Sequence, residues 1–250
     1  MSQKIKISKI FLFTPFIVLS QFSCSSILKS RTNKTSEKST QSIMNNYKIR
    51  WDFNTLAGWV DGSQNMKGLV NYHINKGELN ISTRANTWDR PKIRTFKKKY
   101  KTGKYTWKVY VPKLGMGDMA SIGAFIYNDD KHELDFEIGY GATTVRDSLD
   151  VAPDEVIAYM TSQALPFQSI PTKIKREQWH VLEIELIKNK NKYEAIWYIN
   201  NTEKSRLSLN YGDQFSFYIF CSVENLKFIG DHIPFQDNYG VFDYVQFEEY

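Results

Sequence analysis

The chain has 250 residues, of which 42% are hydrophobic, 24% charged and 15% aromatic, with 6 Trp, 15 Tyr and 16 Phe. So much ring surface must be packed or used, which excludes a disordered, collagenous or coiled-coil protein. The formal charge of +6 is unevenly placed: residues 1–49 hold eight Lys/Arg against Glu37 alone, whereas residues 50–250 carry 25 basic and 26 acidic side chains. A nucleic-acid footprint needs a basic face on the folded part, so no nucleic-acid partner is expected.

The first element in chain order reads as an export signal, residues 1–23. Lys4, Lys6 and Lys9 precede an apolar run of ten residues from Ile10 to Leu19. That run is too short for a bilayer-spanning helix, which needs about 20 residues. The following Gln21-Phe22-Ser23-Cys24-Ser25-Ser26 resembles a bacterial lipoprotein signal. The resemblance implies acylation of Cys24 and a membrane partner in the cell envelope. Gln21 stands where that pattern carries Leu, and a plain secretory cut around Ser23–Ser25 is the alternative. Both place the protein across the cytoplasmic membrane. Residues 24–49, rich in Ser, Thr, Asn and Lys, cannot bury enough apolar surface to offset their ordering entropy and read as a flexible tether.

Residues 50–250 are enough for one domain, expected to be monomeric. Short β-branched and aromatic runs, punctuated by Gly, Asn, Asp and Pro, predict strands at Leu79–Thr83, Lys104–Val111, Ser121–Tyr127, Glu133–Ile138, Trp179–Ile187, Tyr193–Ile199, Phe215–Val223 and Val241–Phe247. This spacing predicts an all-β sandwich or barrel. The best helix candidate is Asp154–Met160. Cys221, inside an apolar run, reads as a small core hydrophobe.

One strand carries the chemistry. In Glu133-Leu134-Asp135-Phe136-Glu137-Ile138 the carboxylates alternate with apolar side chains. Successive side chains of a strand point to opposite faces, so Glu133, Asp135 and Glu137 share one face while Leu134, Phe136 and Ile138 enter the core. Three neighbouring carboxylates repel one another unless a cation or a shared proton relieves them. Their most direct use is glycoside hydrolysis, where a retaining enzyme needs two carboxyl groups about 5–5.5 Å apart. An exposed acidic strand or a calcium-binding edge is the alternative.

The surroundings resemble glycoside hydrolase family 16, which includes laminarinases, lichenases, agarases and carrageenases. Its signature E-x-D-x-E corresponds to Glu133-Leu134-Asp135-Phe136-Glu137. Further landmarks fall in order at Gly77–Ile81, Lys97–Pro112, Trp179–Ile184, Ala195–Asn200 and Phe242–Val245. The resemblance implies a concanavalin A-like β-jelly roll, with Glu133 as nucleophile, Glu137 as general acid/base and Asp135 assisting. It implies a polysaccharide substrate, a β-linked glucan or galactan, and no required cofactor. The family often holds a structural calcium near the end of the chain; Asp243 is the candidate here, with an ordinary surface carboxylate as the favoured alternative.

Two departures stand out. The family's tryptophan-rich segment before the catalytic strand is replaced by Ser121-Ile122-Gly123-Ala124-Phe125-Ile126, and the histidine of the following strand has as its nearest candidates Thr161, Ser162 and Gln163. Trp88, flanked by Asn86 and Arg90, and Tyr140 are candidates for sugar contact, since an exposed ring can stack on a pyranose; a part-buried core aromatic is the alternative for each. The four histidines show no ligand spacing, so no metal site is assigned. Two readings of the whole follow: a secreted endo-glycosidase, or a carbohydrate-binding lipoprotein that kept the fold without turnover.

Overall fold

The computed structural model describes residues 47–250; the export segment, Cys24 and the tether up to residue 46 lie outside the described residues. Alternation of apolar and polar side chains builds nearly the whole chain into strands. In chain order these are β1 (Lys48–Trp51), β2 (Trp59–Asp61), β3 (Tyr72–Asn75), β4 (Glu78–Thr83), β5 (Lys92–Thr95), β6 (Gly103–Val111), β7 (Ala120–Asp129) and β8 (His132–Gly139). The helix α1 (Thr143–Leu149) follows. The chain then returns through β9 (Glu155–Ser162), β10 (Gln168–Lys175), β11 (Gln178–Asn189), β12 (Lys192–Ile199), β13 (Thr202–Ser208), β14 (Tyr218–Asn225) and β15 (Asn238–Glu249).

Two antiparallel sheets result. One has the order β13-β12-β11-β6-β15-β4-β3, with β1 added on β15; the other has the order β10-β9-β8-β7-β14-β5-β2. Sequential hairpins (β13-β12-β11, β10-β9-β8-β7) are joined in each sheet by pairings between strands far apart in the chain, such as β11-β6-β15-β4 and β7-β14-β5: this is a β-jelly roll. The core lies between the sheets. Trp107, Val109, Leu182, Ile184, Trp197 and Phe242 from the first meet Ile122, Ala124, Leu134, Phe136, Met160 and Cys221 from the second. Two buried indoles tie the layers together. Trp197 Nε1 donates to the main-chain carbonyl of Asp135 at 3.1 Å, and Trp107 Nε1 to that of Phe220 at 3.0 Å. They anchor β8 and β14, two strands that carry the acidic face described below.

Two expectations are corrected. Asp154–Met160 is not helical; β9 begins at Glu155, between β8 and β10, and Val156 to Met160 are all buried. A segment buried on both faces loses the polar alternation that marks a strand, which is why its period misleads. The helix is instead Thr143–Leu149, ended by Asp150 in the left-handed region (φ 50). The tether also stops earlier than residue 49: Lys48 and Ile49 pair with Glu248 and Phe247. Ile49 and Trp51 pack against the core, so apolar residues at alternate positions outweigh the polar composition around them.

Candidate active site

Strand register puts the three carboxylates on the outward face of the second sheet. Glu133, Asp135 and Glu137 lie opposite Tyr127, Phe125 and Gly123 of β7, and beyond these follow Tyr218, Phe220 and Ser222 of β14. Directly opposed residues share a face, so β7 and β14 form a floor beside the acids while Leu134 and Phe136 are fully buried behind them. Over this floor opens a cleft of about 430 Å³, lined by Glu133, Glu137, Gln163, Arg90, Lys92, Arg94 and Glu224 among others. Asp135 sits closed to solvent between the two glutamates.

Each acid has its own surroundings. Glu137 accepts a hydrogen bond from the Ser121 hydroxyl. Asp135 accepts one from Gln163 Nε2 at 2.8 Å, while its Oδ1 is buried with no partner. Burial is the main force on all three and disfavours charge. It pushes Glu133 up to about 8, with Asp135 and Glu224 adding to the rise and Lys92 and Arg90 opposing it. Asp135 is pushed up to about 7, against the hydrogen bonds from Gln163 and Thr161. Glu137 is raised well above the carboxylate range by burial, then by Asp135 and Glu224, against the hydrogen bond from Ser121. Asp135 and Glu224 thus act on both glutamates, and Lys92 and Arg90 distinguish Glu133. The ammonium and guanidinium beside Glu133 do not offset its loss of water.

Space at the site depends on Gly123. A Cβ there would lie 2.3 Å from Ser222 Oγ and 3.2 Å from Glu137 Oε1, so a side chain at this position would press on the acid. The missing tryptophans leave a floor of smaller rings. Phe125 and Phe220 stack at 4.5 Å with planes 9° apart, and Tyr127 meets Phe220 edge-on at 6.0 Å.

The other sequence-predicted residues are placed less centrally. Trp88 is 38% exposed, but its ring carries Lys227, 5.4 Å from the centroid, and does not line the acidic cleft. Neither does Asn86, which is held in the left-handed region (φ 55) and donates its backbone N–H to Pro234. Tyr140 lies under the Arg146 guanidinium at 3.9 Å, in a separate pocket with Lys113 and Arg176. Alternation cannot say which loop leans over a sheet, and these three assignments depended on loops. Phe228, 56% exposed and in the cleft wall, is the ring that does reach it.

Sequence reasoning misses Lys92, Arg94, Glu224 and Ser121. A signal was present: Arg90, Lys92 and Arg94 alternate with Pro91 and Ile93, as strand residues on one polar face do. Among the described residues no group of three or more His, Cys, Asp or Glu side chains has the geometry to hold a metal. Asp243 is paired with Lys108 Nζ at 2.7 Å, so its surroundings do not fit the calcium site that the resemblance implies.

Neither a family model nor a curated protein matches the chain. Its fold does have solved counterparts. A prokaryotic β-1,3-1,4-glucanase (lichenase) derived from a mouse hindgut metagenome is 15% identical, with a TM-score of 0.57 over 81% of this chain and 98% of its own. The endo-1,3-β-glucanase of Streptomyces sioyaensis is 14% identical, with a TM-score of 0.58 over 80% of this chain and 94% of its own. Porphyranase B of Zobellia galactanivorans is 14% identical, with a TM-score of 0.54 over 82% and 94%. The fold is that of the jelly-roll glycanases. At these identities the likeness extends to the fold, and the chemistry has to be argued from the cleft.

Proposed function

We propose that the protein is a retaining endo-glycosidase acting on a β-linked polysaccharide outside the cytoplasmic membrane. The observation that carries this reading is the asymmetry around the two glutamates. Both line one cleft and both feel Asp135 and Glu224, yet Lys92 and Arg90 offset part of this at Glu133, where Glu137 has the Ser121 hydroxyl. Environments that push paired carboxyl groups apart define an acid and a base. Glu137 keeps its proton and gives it to the leaving glycosidic oxygen. Glu133, the glutamate with Lys92 and Arg90 beside it, ionises and attacks the anomeric carbon. Asp135 lies between them, and a bare negative Oδ1 there would be costly. While Glu133 is charged, Asp135 stays protonated and adds no second charge beside it. Water, activated by the now deprotonated Glu137, then hydrolyses that intermediate.

A non-catalytic sugar-binding module has less to support it. Holding the carboxyl groups of Asp135 and Glu137 away from water costs stability and adds nothing to recognition that exposed hydroxyls and amides would not supply. The export segment and Cys24 support an envelope location, with a lipid on Cys24 as its anchor. Purified protein lacking residues 1–46, assayed for new reducing ends on a panel of β-glucans and β-galactans, tests the reading. Cleavage that disappears in Glu133→Gln and Glu137→Gln is the expected result. Binding without cleavage across the panel would transfer the protein to the sugar-binding class.

A further inference from the structure

The wall of the cleft opposite the acids is basic. Arg90, Lys92 and Arg94 project from alternate positions along one edge of it. Arg90 and the buried Lys92 both pair with Glu224, Lys92 at 2.6 Å, so one carboxylate answers two cations. Arg94 has no carboxylate partner among the described residues. Its guanidinium lies over the Tyr218 ring, 4.2 Å from the centroid, and spends one nitrogen on the Thr95 carbonyl. Lys98 approaches the same ring at 5.5 Å. Asp130, the other acid on this side, is engaged by the Tyr127 hydroxyl at 2.8 Å.

Building on the glycosidase reading, we infer that this wall reads an anionic substituent on the glycan, a sulfate ester or a carboxylate, with Arg94 as the principal contact. A neutral glycan gives a guanidinium little in exchange for its water, whereas a planar fork of N–H donors matches an oxyanion. The stacked Tyr218 keeps the fork from collapsing onto the surface. Among the described residues Arg94 is the cation of this wall that no carboxylate answers.

The test uses matched substrates: a sulfated β-galactan against its chemically desulfated form, and a carboxymethylated β-glucan against the unmodified polymer. Wild type is expected to favour the charged member of one pair by about ten-fold in kcat/KM, the scale of one hydrogen-bonded charge contact. Which pair shows the preference tells sulfate from carboxylate. Arg94→Gln should bring that ratio close to one, and Arg94→Lys should restore part of it. Lys204→Gln, the same charge change on an exposed strand of the other sheet, should leave it intact. Thermal unfolding of each variant separates lost recognition from lost folding. Equal or better cleavage of the neutral members overturns the inference and leaves the glycosidase reading standing. A charged preference that survives in a folded Arg94→Gln removes Arg94 from its role. Cleavage of nothing in either pair, or elsewhere on the panel, removes the glycosidase reading and this inference with it.

Discussion

Gln163 Nε2 donates to Asp135 Oδ2 at 2.8 Å, and this bond joins the end of β9 to the middle of the acidic trio. It favours the ionised form of Asp135 against the burial that pushes the group up to about 7. Gln163→Ala should raise Asp135 further and leave Glu137 with a protonated, uncharged neighbour more of the time. The basic limb of the pH–rate profile should then move to lower pH, because less negative charge beside Glu137 makes its proton easier to lose. An unchanged profile with lowered activity would mark Gln163 as a structural support only.

The profile of wild type itself should be shifted to alkaline pH. Dependence of kcat/KM on pH reports the free enzyme's essential groups. Glu133 must ionise to attack, so activity should climb as pH rises through about 8. It should fall at higher pH, where Glu137 loses its proton. Coupling makes the two limbs properties of the pair. Lys92→Met removes a cation that opposes the rise in Glu133, so its acid limb should move further up. A neutral or acidic optimum for wild type would contradict the surroundings described for Glu133.

Stability should carry the same signature. Glu133 has an ordinary value of 4.5 and a folded value of about 8. Below 4.5 both folded and unfolded chains hold the proton and nothing is lost. Between 4.5 and 8 the unfolded chain ionises first, so folded stability declines with rising pH until the folded carboxyl ionises too. Glu133→Gln has no such proton to lose. Its Tm should exceed that of wild type by several degrees at pH 8 and by much less at pH 5. Parallel melting curves for the two proteins at both pH values would show that the buried acid carries no such penalty.

The division of labour between the glutamates is open to chemical rescue. Glu133→Ala should abolish turnover, and added azide entering the vacated space should give a product of inverted configuration. Glu137→Ala should spare substrates with good leaving groups, which need no proton in the first step, and azide should there give retained configuration. Gly123→Ala should push Ser222 Oγ aside and shift Glu137 by a few tenths of an ångström, with a loss in kcat smaller than the about 100-fold of a 1 Å misplacement. Full activity in Gly123→Ala would mean that Glu137 tolerates displacement and does not act at a fixed distance.

Cys24 gives a prediction that is independent of the cleft. Full-length protein expressed in a bacterium should partition with membranes, and Cys24→Ala should release it or stall its processing. Soluble wild-type protein with another residue at its mature N-terminus would favour the plain secretory cut.

Local patterning determined a good deal of this protein. Strict alternation in Glu133–Ile138 assigned a face to every side chain of the catalytic strand, because the pleat allows only two directions. The same rule located the runs that became β4, β6, β7, β8, β11, β12, β14 and β15. It failed at β9, whose burial on both faces erases alternation, and at β1, where two apolar side chains lie in polar surroundings. Only the tertiary structure decided what faces the acids. Lys92 and Glu224 are 132 residues apart in the chain and 2.6 Å apart in space, because β14 pairs with β5 on one side and β7 on the other. Which loops reach the cleft is decided in the same way: Phe228 arrives there and Trp88 does not. Backbone geometry within a strand is local, whereas the electrostatics of a buried carboxyl depend on every charge that distant strands bring beside it.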